Sequence, residues 1–414
     1  MKIDQFLPNP KNKISLEEIC SNKFFEQNAG QPFQEESLNF LNEVSRLTFL
    51  DTNIKKFPEL AALSYWIRRG SISSIIEDYK KRIFSNEIVV PRGVVLHIAP
   101  SNVDSIFMYS WALSLLAGNI NLIRISQNHS TQITFLLQII QKALKDKRFI
   151  KIAKRNRVIT YSHDDDINAK LSELADVRVI WGGNETVDYF RSLQSSRTTK
   201  DIVFADKWSH SVIDSAKYNE LSNIKKKDLA KLFFNDSYWF DQMACSSPRI
   251  VFFVGKKREC IKASKSFWMG LNMELEDKNS SEDIGTAMNK LVYLYERAKT
   301  SNKVTIPYRP ENGKALVINL DKIDRNTLTE QCGGGLFLET YVQDLSQLSS
   351  IIQQNDQTLS YFGFDKSTLI NFISGLNGNG LDRVVPIGSA LNFSPVWDGY
   401  DLLTELTKRV QILN

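Results

Sequence analysis

IVVPRGVVLHIAP, residues 88–100, is β-branched and apolar over most of its length. Such a run predicts a buried strand. Asp104 to Leu116 then follows helical spacing, and INLIRIS, residues 120–126, is extended again. Strand, helix and strand in that order form the unit from which parallel sheets are built. The alternation continues outward. Ser130 and Thr131 precede a helical stripe of Ile133, Leu136, Leu137, Ile140 and Leu144, and RVITYS (157–162), DVRVIW (176–181) and DIVFA (201–205) read as short strands. A second set begins with RIVFFV (249–254) and continues through ALVINL (315–320) and LFLETYV (336–342), with helical AMNKLVYLYERAK (287–299) between the first two. The pattern predicts two doubly wound α/β sheets in tandem. Upstream, FPELAALSYWIRRG (57–70) lets a helix start at Pro58 and stop at Gly70, with Leu60, Leu63 and Ile67 on one face.

Composition narrows the class. With 414 residues the chain is too long for one core, and 42% hydrophobic with 24% charged residues is the balance of a globular protein. A net charge of +5 is too slight to imply nucleic acid, and KKK at Lys225 to Lys227 reads as a solvated helix face. Cys20, Cys245, Cys260 and Cys332 lack CxxC spacing, which argues against a disulfide framework and for a reducing compartment. MKIDQFLPNPKNK has no apolar core of a signal peptide, and no uninterrupted run of about 20 apolar residues spans a bilayer. A cytoplasmic location is expected.

Several stretches bear chemistry. Neither a P-loop nor GxGxxG is present, and GLNGNG (375–380) has turn spacing instead. The four histidines are scattered, so no metal site is expected. His97 reads as a hydrogen-bonded strand residue, and His210 is left open. Pro100, Ser101 and Asn102 follow a buried strand, where a sheet edge presents ligand-binding groups. Asn102 can donate its amide N–H to an oxyanion or simply form a turn. Arg124 and Ser126 end the next strand and can meet a ribose or phosphate, although an arginine there can also be a surface charge. Gly182 and Gly183 end a third and admit close backbone approach by a cofactor. Cys245, inside DQMACSSPR (241–249), is either a buried packing thiol or a nucleophile.

The combination of HIAPSNVDS, LIRIS, VIWGGNET and FFNDSYWFDQMACSSPR resembles the aldehyde dehydrogenase superfamily. Its members carry Pro-x-Asn after one strand, Lys-Pro-Ser after the next, and a cysteine after an FFN…Q segment. More narrowly, FPELAALSYWIRRG, VIWGGNET, DQMACSSPR and RVVPIGSALNFSPVWDGYDLLTELTKRV are similar to the LuxC-type fatty acyl reductases of bacterial bioluminescence. The motifs run in order from Phe57 to Val410. The resemblance implies an aldehyde dehydrogenase-like α/β fold with Cys245, as nucleophile, at the junction of the two domains. The expected divisions are an N-terminal helical region over 1–87, a cofactor-binding domain over 88–240 and a catalytic domain over 241–382. Residues 383–414 are expected to close back on the active site.

The resemblance further implies that Asn102 supports the oxyanion. It assigns Pro100, Ser101, Arg124, Ser126, Gly182 and Gly183 to a nicotinamide cofactor. Two departures bear on activity. Oxidising members carry a Glu in an ELGG segment that activates water, and the corresponding DIVFADKWSHS (201–211) has none. A thioacyl-enzyme lacking that base would exchange with a thiol or accept hydride rather than meet water. Arg124 stands in place of the usual Lys, and a guanidinium pairs with a 2′-phosphate, which favours NADPH. The reading is an NADPH-dependent reductase of acyl-CoA or acyl-protein thioesters, a homo-oligomer with an acyl-activating synthetase as possible partner. The rivals are an aldehyde-oxidising dehydrogenase and a non-catalytic scaffold.

Overall fold

The computed structural model describes residues 3–20, 22–25, 27, 29–100, 106–278, 284–300, 305–308, 314–320 and 332–413. The chain divides into two compact units. The first comprises Met1–Asp206 and Phe393–Asn414, the second Lys207–Asn392.

The first unit is built on β1 (Ile3–Leu7), β2 (Lys11–Ile14), β4 (Val94–Ile98), β5 (Ile120–Arg124), β6 (Asn156–Thr160), β7 (Val177–Trp181) and β8 (Lys200–Phe204), with β3 (Glu87–Pro91) preceding β4. The sheet order is β2-β1-β6-β5-β4-β7-β8. The five strands from β6 to β8 are parallel, and β1 and β2 add an antiparallel edge. Every residue of β4 is buried, as expected for a central parallel strand covered on both faces. Helices Ile106–Leu116 and Thr131–Leu144 cover one face. Helices Asp165–Leu174 and Asn184–Ser192 cover the other. The order therefore reverses between β4 and β7, which makes their carboxyl ends the switch point where ligands of such sheets bind.

A buried polar chain fixes β4 and β5. His97 Nε2 donates to Asn121 Oδ1 at 3.1 Å, and its Nδ1 accepts from Ser110 Oγ at 3.0 Å. Asn121 Nδ2 donates onward to Asn156 Oδ1 at 2.9 Å. Burial pushes His97 down to about 4, so it is neutral at pH 7. It is the hydrogen-bonded strand residue that the sequence predicts.

The second unit carries β9 (Trp208–Asp214), β10 (Pro248–Val254), β11 (Thr305–Tyr308), β12 (Leu316–Asn319), β13 (Leu336–Val342), β14 (Asp356–Phe362) and β15 (Arg383–Pro386). Their order is β11-β12-β13-β10-β9-β14-β15, parallel except for β11 against β12. Helices Asn223–Tyr238 and Lys257–Asp277 pack on one face. Helices Ile284–Thr300 and Lys366–Gly375 pack on the other.

The C-terminal stretch returns to the first unit through a short hairpin, β16 (Val396–Trp397) and β17 (Tyr400–Asp401). It ends in β18 (Thr407–Gln411), which pairs antiparallel with β3.

The elements depart from expectation at three places. The helix from Pro58 ends at Trp66, and a second runs over Arg69–Lys80, so Gly70 lies inside a helix rather than stopping one. The region 1–87 contains the strands β1 and β2 as well as helices. Residues 207–240 belong to the second unit and 393–414 to the first, so the divisions at 240 and 382 do not coincide with the compact units. Cys245 belongs to the second unit.

Candidate active site

In the first unit the predicted cofactor residues gather at one sheet edge. Pro100 follows β4, Arg124 ends β5 in register with Ile98, and Ile98 pairs on its other side with Ile180 of β7, which Gly182 and Gly183 follow. Ser126 lies two residues beyond Arg124, partly exposed. Ser101 and Asn102 lie outside the described residues.

The donors on this edge are unspent. Among the described residues Arg124 Nε, His129 Nδ1 and Gln132 Nε2 are buried without a hydrogen-bond partner. Arg124 ends β5, His129 lies in the stretch after it, and Gln132 lies in the first turn of the helix Thr131–Leu144. Buried donors are normally satisfied, so three orphans in one short stretch fit a polar ligand such as a ribose phosphate. The Arg124 guanidinium lies 5.4 Å from the centre of the Tyr161 ring. Burial raises the Tyr161 phenol well above its usual range, so this partner stays neutral. A Cβ at Gly182 would strike Thr186, whereas one at Gly183 would only crowd the end of the Asp206 side chain. That carboxylate accepts from Asn184 N at 3.1 Å.

In the second unit the nucleophile candidate is built from a strained turn. The helix Asn223–Tyr238 ends, and Asp241 and Gln242 follow with φ of 46° and 63°. Two successive non-glycine residues in the left-handed region cost about 1–3 kcal/mol each and persist only where neighbours over-determine them. Here Gln242 N donates to Ser237 O at 2.6 Å, and its Nε2 donates to Pro248 O at 2.9 Å. Gly335 N donates to Gln242 Oε1 at 3.0 Å, and Gly334 N to Asp241 O at 2.9 Å. Gly333, Gly334 and Gly335 all have positive φ, and a Cβ on Gly335 would strike Lys314 O and Tyr238 Oη. Three glycines are needed to bring this loop against the turn.

Cys245 emerges from that turn, partly exposed, just before β10. It lies at the amino edge of the sheet. Ser209 Oγ of β9 donates to Cys245 O at 2.6 Å, and Gln357 Nε2 of β14 donates to Cys245 Sγ at 3.1 Å. Cys260, by contrast, is fully buried, hydrogen-bonded to Phe253 O, and pushed up by burial, as in an inert packing thiol. Ser209, Gln242, Gln357 and the glycine run 333–335 were not among the predicted site residues. Only the glycine run carried a visible signal.

Two acids of this unit, Asp236 and Asp356, are buried. His210 Nε2 and Asp356 Oδ1 lie 2.9 Å apart, both fully buried. Asp236 accepts from Gly388 N at 2.6 Å and Ala390 N at 3.0 Å, while its own carbonyl accepts from Ser247 Oγ at 2.7 Å. Among the described residues no group of three or more His, Cys, Asp or Glu is arranged to hold a metal ion. No helix among them is long and apolar enough to cross a membrane.

Burial pushes Asp236 up to about 7, against the opposing pull of its two N–H donors and Arg383. An unfolded aspartate titrates near about 3.9. The folded state therefore holds the extra proton between those values, and the stability it contributes is lost as pH rises through about 7. The thermal midpoint should fall from pH 5 to pH 8, and Asp236→Asn, which fixes the neutral form, should flatten that slope. An unchanged slope in differential scanning calorimetry would assign the pH dependence elsewhere.

Relatives resemble part of the chain, and solved structures resemble nearly all of it. A long-chain acyl-protein thioester reductase of Vibrio harveyi is 21% identical over 339 residues, 78% of this chain and 64% of that protein. Another from Aliivibrio fischeri is 27% identical over 168 residues, 40% of this chain and 33% of that protein. The chain thus spans less than two thirds of the length of either relative in these matches. Aldehyde dehydrogenase 21 of Physcomitrella patens superposes with a TM-score of 0.67 at 11% identity, covering 98% of this chain and 92% of its own. An NAD-dependent benzaldehyde dehydrogenase of Corynebacterium glutamicum does so with a TM-score of 0.67 at 11% identity, covering 99% and 94%. Both have the aldehyde dehydrogenase fold, and this chain shares it. The sequence model of the acyl-CoA reductase (LuxC) family matches residues 14–273, a span that takes in Pro100, Arg124, Gly182 and Cys245. By that match the chain belongs to the acyl-CoA reductase (LuxC) family.

Proposed function

We propose that this protein reduces acyl thioesters to aldehydes with NADPH, through an acyl group carried on Cys245. The observation that carries the reading is the Cys245 sulfur itself: partly exposed, on a strained turn, and contacted by a donor from a buried strand residue. A packing thiol needs none of these. Strain over-determined by neighbours is characteristic of functional positions.

The Cys245 thiolate attacks the thioester carbonyl carbon. A new C–S bond forms, the old one breaks, and the donor thiol leaves as its thiolate. When bound, the nicotinamide cofactor supplies a hydride to the carbonyl carbon of this Cys-bound acyl group. The negative charge then carried by the former carbonyl oxygen re-forms the carbonyl, the C–S bond breaks, and its electron pair returns to Sγ. The products are an aldehyde and the free thiolate. Asn102 and the Cys245 backbone N–H are assigned to the oxyanion. Pro100, Ser101, Arg124, Ser126, Gly182 and Gly183 are assigned to the cofactor. The unspent Arg124 Nε supports a phosphate partner and hence NADPH.

The absence of Glu from residues 201–211 supports reduction over oxidation, since the two carboxylates there, Asp201 and Asp206, accept from Arg178 and from Asn184 N. The relatives' designation as acyl-protein thioester reductases favours an acylated protein, such as an acyl-activating synthetase, as donor. A cytoplasmic homo-oligomer remains part of the reading.

Cys245→Ser should lower aldehyde formation from acyl-CoA and NADPH by at least about 10³-fold, since an alcohol is a far weaker nucleophile at neutral pH. NADPH binding, followed by its fluorescence, should persist. Substantial aldehyde from the serine variant would place the nucleophile elsewhere.

Arg124→Ala should weaken NADPH more than NADH. Loss of one charge-assisted hydrogen bond costs about 1.5–3 kcal/mol, so the ratio of the two dissociation constants should shift about tenfold or more towards NADH. Equal weakening would assign the arginine to the part common to both cofactors.

A further inference from the structure

Gln357 is the side chain on the nucleophile for which neither sequence motif nor family resemblance supplies a role. It is fully buried near the start of β14. Its Nε2 donates to Cys245 Sγ at 3.1 Å, and its Oε1 accepts from Thr358 Oγ1 at 3.3 Å. In this orientation of the amide the Thr358 hydroxyl donates to the oxygen and the N–H faces the sulfur. Thr358 N in turn donates to Ser209 Oγ at 3.1 Å, and Ser209 Oγ donates to Cys245 O at 2.6 Å. Ser209 and Thr358 are partners in the parallel ladder between β9 and β14. Cys245 is thus tied at two points, through its carbonyl and through its sulfur, to neighbouring strands of one sheet.

We propose that Gln357 is a catalytic hydrogen-bond donor to the Cys245 sulfur, stabilising the thiolate before acyl transfer and again when the aldehyde leaves. The second half of this role rests on the reductase reading, the first does not. An N–H bonded to an anionic acceptor is roughly twice as strong as one bonded to a neutral acceptor. The donor therefore favours S⁻ over S–H. On acylation the sulfur loses its charge and the bond weakens. When the C–S bond breaks and its electron pair returns to Sγ, the bond strengthens with the developing charge. An interaction stronger in the transition state of that step than before it accelerates the step. A neutral amide does this without placing a second charge beside the cofactor or substrate.

The charged groups on the surrounding elements are engaged elsewhere or face solvent. His210 and Asp356 bond each other, Lys207 pairs with Asp382, and Asp236 accepts from Gly388 and Ala390. Arg249 lies over the Trp208 ring at 4.3 Å, and Asp241 is exposed. Cys332 Sγ donates to Gly333 O at 3.6 Å.

The test is the pH dependence of iodoacetamide alkylation at Cys245, read by peptide mass mapping on the full chain. In the wild type the rate should titrate below about 8.5, the ordinary thiol value. Gln357→Met keeps the volume and removes the N–H, and should move that midpoint up by about one pH unit or more. Circular dichroism and the thermal midpoint establish whether the variant is folded. A wild-type midpoint at or above about 8.5 overturns the proposal even if the variant fails to fold, and so does a folded variant with the wild-type midpoint. Alkylation needs neither acyl thioester nor NADPH. A shifted midpoint in a protein that forms no aldehyde would uphold Gln357 and sink the reductase reading. An unshifted midpoint in an active enzyme would do the reverse.

Discussion

The chain reaches Cys245 only by holding Asp241 and Gln242 in left-handed backbone conformations that side chains disfavour. That strain must be offset by contacts made elsewhere, and the contacts are found on three separate parts of the second unit. The helix Asn223–Tyr238 accepts from Gln242 N through Ser237 O. The glycine run at 333–335 supplies two N–H donors, and β10 supplies the Pro248 carbonyl. Gln242 bonds to all three parts, and only the bond from Gly334 N goes to Asp241 instead. Moving any of the three elements would release the turn and with it the direction in which the thiol points.

Such a turn sits at the amino edge of its sheet, whereas ligands of doubly wound sheets ordinarily meet the carboxyl edge. The first unit follows the ordinary rule. Its strand order reverses between β4 and β7, and its unspent polar donors cluster just after β5. The two halves of the proposed reaction therefore draw on different physics. A preformed edge with free donors suits a cofactor, which must come and go. A strained loop fixed by main-chain bonds suits a nucleophile, whose position has to hold while bonds to it form and break.

Much of the first sheet was legible because parallel central strands are continuous apolar runs. VVLHI, NLIR and VRVIW announce themselves in that way, and so do RIVFFV and LFLETYV in the second sheet. The strands β9 and β14 did not. WSHSVID and DQTLSYF carry Ser209, His210, Asp356 and Gln357 where apolar residues would mark a strand, because those side chains are spent on bonds to one another and to Cys245. Polar residues that serve a site erase the pattern that would reveal the strand beneath it. Gly70 misled for a different reason. The helix before it ends at Trp66 without needing a glycine, and the next begins at Arg69 with room for any residue at Gly70. The position of residues 393–414 depends on pairing between β18 and β3, a contact across most of the chain that local spacing cannot encode.

The central claim is that an acyl group passes through Cys245, and intact mass spectrometry on the protein mixed with acyl-CoA in the absence of any nicotinamide tests it most directly. The account predicts one added acyl mass, removed by neutral hydroxylamine and mapped by digestion to the peptide that contains Cys245. An adduct confined to Cys332 or another residue, or rapid aldehyde formation on later addition of NADPH with no adduct formed at all, would contradict it.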